Sequence, residues 1–140
     1  MIKGLNMKHF TEAELGIENS AVEIKKNMYA LVENVLDPLR ANIEKPIIIT
    51  SGYRSPSYNK KVGGAKNSQH IKGQAVDFIT SVNLEEVFKI IIKHFDFDQV
   101  IFEKSDNGSR WIHISFSLEK NRRECLIANK INGKWKYTKY

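Results

Sequence analysis

The sequence predicts an α+β domain on a mostly antiparallel sheet. Three observations carry this. Helical patterns come first, a strand, a long polar loop, a second strand and a helix follow, and four strand-like segments close the chain. Those last segments are joined by turn-rich connections, KSDNGS and Asn132-Gly133, which suit hairpins. The length, 140 residues with 41% apolar content, suits one domain with a real core and is too apolar for a disordered chain.

Taken in order, FTEAEL carries Thr11 and Glu14 at capping-box spacing, which predicts a short helix. A longer helix is predicted from about Ser20, its cap, to Ile43. Ile24, Met28, Leu31, Val35 and Leu39 recur near helical spacing on one face. Pro38 lies inside that pattern and predicts a kink or break. Pro46 ends the helical zone, and the β-branched IIIT reads as a strand. SGYRSPSYNKKVGGAKNS reads as a long loop, of a length that is often functional. GQAVDFIT reads as a strand, and SVNLEEVFKIIIKHF as a helix capped by Ser81 or Asn83. FDQVIFE and RWIHISF read as a hairpin, and RECLIANKINGKWKYT as a final one. No repeat or linker divides the chain, so a single domain over residues 1–140 is expected.

Composition removes several classes. The longest purely apolar runs are a few residues, so no membrane span is predicted. MIKGLNMKHFTEAEL has no apolar h-region or small-residue cleavage site, so synthesis in the cytoplasm without a signal peptide is expected. The single cysteine, Cys125, excludes an intramolecular disulfide and a cysteine zinc cluster, and reads as a core strand residue. A net charge of +6 suits a polyanionic partner such as nucleic acid, anionic lipid or cell wall, without choosing among them. The basic residues are scattered, as on a surface tuned for solubility. A nucleic-acid-binding domain would account for the charge and leave the histidines and acids unexplained.

His9 and His94 lie beside predicted helices and read as structural; a histidine near a helix C-terminus is favoured by the dipole alone. His70 and His113 differ. His70 ends the polar loop. In WIHISF, alternation puts Trp111, His113 and Ser115 on one face, away from Ile112, Ile114 and Phe116. Asp77 sits in the apolar strand QAVDF, where a buried carboxylate needs a cation, a metal or several hydrogen bonds. Two imidazoles and a carboxylate form a zinc ligand set that leaves a fourth position open. They also form an ordinary buried Asp–His hydrogen bond, and spacing alone leaves both readings open.

SGYRSPSYNKKVGGAKNSQHIKGQAVDF, followed by QVIFE and WIHISF, resembles the zinc D-alanyl-D-alanine carboxypeptidase and L-alanyl-D-glutamate endopeptidase family, and most of all its phage and prophage members. Ser68, His70, Gly73, Asp77, Trp111 and His113 match the family's motif residues, and the likeness covers roughly residues 8–130. The resemblance implies a hedgehog/D,D-peptidase-type fold and a Zn2+ ion held by His70, Asp77 and His113. It implies an enzyme acting on the stem peptides of peptidoglycan, with zinc polarising the amide and acidifying water while a carboxylate moves the proton. Arg54 and Ser68 match polar pocket residues: Arg54 for the oxyanion or a substrate carboxylate, Ser68 for a hydrogen bond to substrate or a ligand. Trp111 belongs to the same substrate-binding set.

The chain departs from many relatives at the general base. Three residues before the last histidine ligand stands Arg110, which cannot accept a proton. The phage-type branch carries a glutamate at the end of the preceding strand, matching Glu103. With a hairpin loop at 104–110, Glu103 pairs with Trp111 and Ile101 with His113, so Glu103 and His113 become diagonal neighbours at roughly 7–8 Å. Asp106 in that loop is the second candidate. Without a carboxylate at the metal, the alternative is an inactive zinc-containing wall-binding or phage structural domain. A phage lysin or virion component acting on the wall after release fits the lack of a signal peptide, and a monomer is the expected state.

Overall fold

The computed structural model describes residues 7–140; the first six, which belong to the expected single domain and to the stretch read for a signal peptide, lie outside the described residues. The architecture is α+β, with a six-stranded mixed sheet in the order β1-β2-β4-β3-β5-β6. The strands are β1 (Ile47–Ser51), β2 (Ala75–Thr80), β3 (Gln99–Lys104), β4 (Arg110–Ser115), β5 (Glu124–Ile131) and β6 (Lys134–Lys139). Four of the five pairings are antiparallel; β3 and β5 are parallel. The chain leaves β4 and steps past the start of β3 before entering β5. Asp98 holds that crossing, its N–H donating to the Ser115 carbonyl (2.9 Å) and its carbonyl accepting from Glu124 N–H (2.9 Å).

Helix α1 (Glu12–Leu15) starts at Thr11 with the expected reciprocal capping box. The long helix begins one residue later than expected: Ala21 rather than Ser20 stands at the cap of α2 (Val22–Leu31) and offers no side-chain hydrogen bond. A π-helical turn, Val32–Leu36, then leads into α3 (Asp37–Ile43). Pro38 explains the wide turn. Proline lacks an N–H, and its ring would collide with the carbonyl four residues back, so the helix widens just ahead of it rather than breaking. Met28, Leu31, Val35 and Leu39 are fully buried, as their spacing predicted.

The stretch read as one long loop contains order. Ser55 caps α4 (Pro56–Lys61), its Oγ accepting from Tyr58 N–H, and proline at the first helical position suits the start. A 3-10 turn, Gln69–Lys72, follows. Helix α5 (Leu84–His94) is capped by Asn83.

The two sheet faces divide the work. Val76 and Phe78 of β2, Val100 and Phe102 of β3, and Ile112 and Ile114 of β4 pack with the helices in one core. The opposite face carries Asp77, His113, Ile101 and Glu103, joined from outside the sheet by the loop and 3-10 turn that bring in His70. Cys125 lies on a strand, β5, as expected, but is half-buried against the edge of the core rather than within it. Among the described residues no helix is long and apolar enough to cross a membrane.

Candidate metal centre

Register places the chemistry. Asp77 of β2 lies directly opposite His113 of β4, which in turn faces Ile101 of β3. One row along, Trp111 faces Glu103. This is the pairing expected from the hairpin, and it makes Glu103 and His113 diagonal neighbours. His70 arrives from the 3-10 turn. Gly73 closes that turn at φ 70°, a left-handed conformation that glycine adopts without strain. The side chains line an open cleft of about 670 Å³.

Asp77, His70 and His113 are all buried. Asp77 Oδ1 lies 3.2 Å from His70 Nε2 and 3.0 Å from His113 Nδ1. One ligand atom from each of the three falls within 4.8 Å of the others. Edges of roughly 3.3 Å follow from metal–ligand bonds near 2.0–2.1 Å in a tetrahedron, and the two Asp77–histidine spacings match that edge.

The tautomer argues the same way. His70 Nδ1 lies 2.9 Å from the Gly52 carbonyl oxygen. A carbonyl only accepts, so Nδ1 carries the proton and the Nε2 lone pair of a neutral imidazole faces the Asp77 carboxylate. Two acceptors at 3.2 Å repel unless the ring is protonated or a cation sits between them. A carbonyl orienting the far side of an imidazole is the usual outer partner of a metal-binding histidine. The donor set therefore fits a divalent metal ion.

The electrostatics are set by burial and by these neighbours. Burial alone pushes the Asp77 carboxyl up. With the imidazoles protonated, as they can be when no ion sits between them and Asp77, the hydrogen bonds and charge of His113 and His70 outweigh burial and hold Asp77 well below the usual carboxylate range. Glu103 goes the other way. Burial, and then repulsion from Asp77, push it up to about 7, with His113, the Trp111 indole and Arg54 offsetting only part. A carboxyl that holds its proton near neutrality is suited to proton transfer. The Trp111 indole N–H is buried without a hydrogen-bond partner of normal geometry.

Arg54 is fixed in place. Nε donates to Ser51 Oγ (3.0 Å), Nη1 to Asn59 Oδ1 (3.2 Å) and Nη2 to Asp77 Oδ2 (3.5 Å), while its backbone N–H donates to the His70 carbonyl (3.1 Å). Three of its five N–H donors are thus used within the protein, and two remain for a ligand in the cleft. Ser68 lines the cleft, and its Oγ accepts from His70 N–H (3.2 Å), capping the turn that carries the ligand. Asp106 stands at the β3–β4 turn, where its carboxylate accepts from Gly133 N–H (3.3 Å), outside the cleft lining. His9 and His94 also lie away from the cleft.

Sequence reasoning did not name Asn59, Gln69, Asp98, Arg122, Trp135 or Tyr137. Asn59 was hidden with α4, although Ser55-Pro56 is a helix-start signal. Trp135 and Tyr137 alternate within KWKYTK, but their arrival at the cleft depends on the parallel β3–β5 pairing.

The cleft floor thus brings together two imidazoles and a carboxylate that could hold one metal ion, with a proton-holding glutamate beside them. The family model described as Peptidase M15 matches residues 5–115, and the chain belongs to that family. A zinc D-Ala-D-Ala carboxypeptidase from Streptomyces albus G is 35% identical over 77 residues, a stretch covering 49% of this chain and 30% of that relative. The chain therefore matches less than a third of that relative's length.

Proposed function

We propose that the protein is a zinc peptidase that hydrolyses an amide bond in peptidoglycan stem peptides, as a D,D-carboxypeptidase or an L,D-endopeptidase, on a single hedgehog/D,D-peptidase-type domain. The convergence of His70 Nε2 and His113 Nδ1 on Asp77 Oδ1 carries this reading, because neutral imidazoles and a carboxylate are the ligands zinc takes. The family and the Streptomyces relative support zinc and a peptide substrate.

Zinc, when bound, supplies Lewis acidity that polarises the amide carbonyl and makes water nucleophilic near neutral pH. The chain's own groups do the rest. Glu103 takes the proton of the attacking water on a carboxylate oxygen and returns it to the amine of the leaving group. Its raised proton affinity suits both transfers. Arg54, with two free donors and a fixed plane, binds the developing oxyanion or a substrate carboxylate. Trp111 and Ser68 line the substrate path. The protein acts as a monomer on the cell wall, after release from the cytoplasm or within a phage particle.

Digestion of purified peptidoglycan, followed by mass spectrometry of the products, tests this with wild type, Glu103→Gln and His113→Ala beside one another. Wild type should release peptide or D-alanine and both variants should not. Intact wall from a zinc-loaded wild type would sink the peptidase reading in favour of a wall-binding or phage structural domain. Full activity in Glu103→Gln would remove the base assignment and leave the metal centre standing.

A further inference from the structure

The matched family residues end at Ser115, the last residue of β4, yet the cleft does not end there. Strand β5 pairs with β3 and β6 pairs with β5, so the final hairpin extends the cleft floor by two strands. Glu103 faces Ala128, and Ala128 faces Tyr137, so the three form one row across the sheet. Ala128 is fully buried and small. Neighbouring strands are roughly 4.8 Å apart, which puts the Tyr137 backbone roughly 10 Å from that of Glu103 with only a methyl group between. A tyrosine side chain spans most of that gap. Tyr137 and Glu103 both line the cleft.

Trp135 stands beside it on the same face, its ring 5.8 Å from that of Trp111 at 78°, an edge-to-face contact that continues the aromatic surface from β4 to β6. Both β6 rings line the cleft, and Tyr137 is 54% exposed. Lysines flank the pair. Lys130, opposite Trp135, has its ammonium 6.0 Å from the indole centroid, and Lys139, opposite Leu126, lies two residues beyond Tyr137 on the same face. Strand β6 has no acidic residue.

We propose that Trp135 and Tyr137 form an aromatic shelf, bordered by Lys130 and Lys139, that binds an extended, carboxylate-bearing peptide leading to the metal centre. The proposal rests on the peptidoglycan-peptide reading and names the part of that substrate the hairpin takes. Ring faces accept the apolar backbone and methyl surface of such a peptide at low entropic cost, and the ammonium groups answer its carboxylates. The glycosidically linked N-acetyl sugars of a chitin-like glycan carry no charge for the lysines to meet, so the chemistry favours peptide over glycan.

The test measures binding of the free stem peptide L-Ala-γ-D-Glu-L-Lys-D-Ala-D-Ala by calorimetry to zinc-loaded Glu103→Gln protein, full length. Wild-type turnover and zinc content are measured in parallel. Trp135→Ala and Tyr137→Ala should each weaken binding about tenfold, as buried aromatic anchors do. Tyr137→Phe should bind like the parent, because the ring supplies the surface. Lys139→Gln should weaken binding about threefold at low salt and show no effect at high salt. Zinc content should be unchanged in all, melting temperature should fall only slightly in Trp135→Ala through its lost contact with Trp111, and a chitin oligosaccharide should not compete. Parental binding in Trp135→Ala and Tyr137→Ala, with wild-type turnover intact, would overturn the shelf and spare the peptidase. Competition by the sugar without binding of the peptide would assign the shelf to glycan and overturn the proposal. Failure of zinc-loaded protein to bind or cleave the peptide at all would remove the peptidase reading and the shelf together.

Discussion

His70 Nδ1 lies 2.9 Å from the carbonyl oxygen of Gly52, so a backbone atom on the strand-to-loop junction fixes which imidazole nitrogen faces Asp77. Gly52 itself is held against α1. A Cβ on residue 52 would lie 2.3 Å from the Leu15 carbonyl oxygen, and the next N–H, of Tyr53, donates to that oxygen at 2.9 Å.

Gly52→Ala should therefore damage the metal centre from outside it. The methyl group cannot be accommodated without shifting backbone, which moves the carbonyl that orients His70. Losing such an outer partner typically costs 10–100-fold in metal affinity, and the displacement should cost about 1–3 kcal/mol of stability. Zinc competition titration and chemical denaturation check this; unchanged affinity in a folded variant would show that His70 holds its orientation without Gly52.

Glu103 makes the stability of the zinc-free protein pH-dependent. In the unfolded chain it titrates at about 4.5, in the folded one at about 7. Between these values the folded state binds the extra proton, so the contribution of Glu103 to stability is fully present below pH 4.5 and is lost as pH rises through about 7. Glu103→Gln removes that loss. The metal-free variant should match wild type near pH 4.5 and exceed it by about 1–3 kcal/mol at pH 8. Denaturation with chelator at the two pH values measures the difference; a constant offset would contradict a buried, proton-holding Glu103.

Much of this was legible in the sequence, for physical reasons that differ by element. The α1 capping box and the apolar stripe of α2 and α3 are local, and local signals survive folding. The Glu103–Trp111 and Ile101–His113 pairings followed from the length of one hairpin loop. The candidate ligands were visible because polar residues at Asp77 and His113 interrupt otherwise apolar strands. What stayed hidden is non-local. Pro38 announced a disturbance but not that it would take the form of a π turn, and the parallel β3–β5 pairing depends on a crossing held by Asp98. That pairing, continued by β5–β6, brings Trp135 and Tyr137 to the cleft, so this side of its floor could not be read in advance.

Metal removal should expose how far the centre holds the fold together. Asp77 is buried with two imidazoles at 3.2 and 3.0 Å, and an ion that binds only the folded state stabilises it by mass action, about 4 kcal/mol at a thousandfold excess over the dissociation constant. Melting temperature should rise with zinc concentration in wild type and stay flat in His113→Ala. A wild-type melting curve indifferent to zinc would show that these three residues do not hold the ion.

Arg54→Lys separates charge from geometry. Ser51, Asn59 and Asp77 accept from three different nitrogens of one planar group whose side chain is 16% exposed. An ammonium keeps the charge but cannot span all three. The variant should bind zinc and lose about 1–3 kcal/mol of stability through the abandoned acceptors, with peptide hydrolysis reduced at least tenfold. Wild-type turnover in Arg54→Lys would show that the cleft needs only a positive charge there.

Asp98 should prove as important to the fold as any ligand. It is 3% exposed and accepts from Arg122 N–H (2.9 Å), Arg122 Nη2–H (2.8 Å) and Gln69 Nε2–H (2.8 Å), joining the turn that carries His70 to the crossing between β4 and β5. Asp98→Ala leaves the backbone N–H of Arg122 without its acceptor and the Gln69 amide with only a long bond to Gln74 Oε1 (3.4 Å), and should cost about 2–4 kcal/mol. Arg122→Lys should cost much less, because that side chain is 54% exposed and water can replace what it loses. Since Gln69 directly precedes His70, zinc affinity should also fall in Asp98→Ala and hold in Arg122→Lys. Urea denaturation and zinc titration on the pair decide it: equal losses in both variants would mean that the ion pair, rather than the buried carboxylate and its amide partners, ties the ligand turn to the sheet.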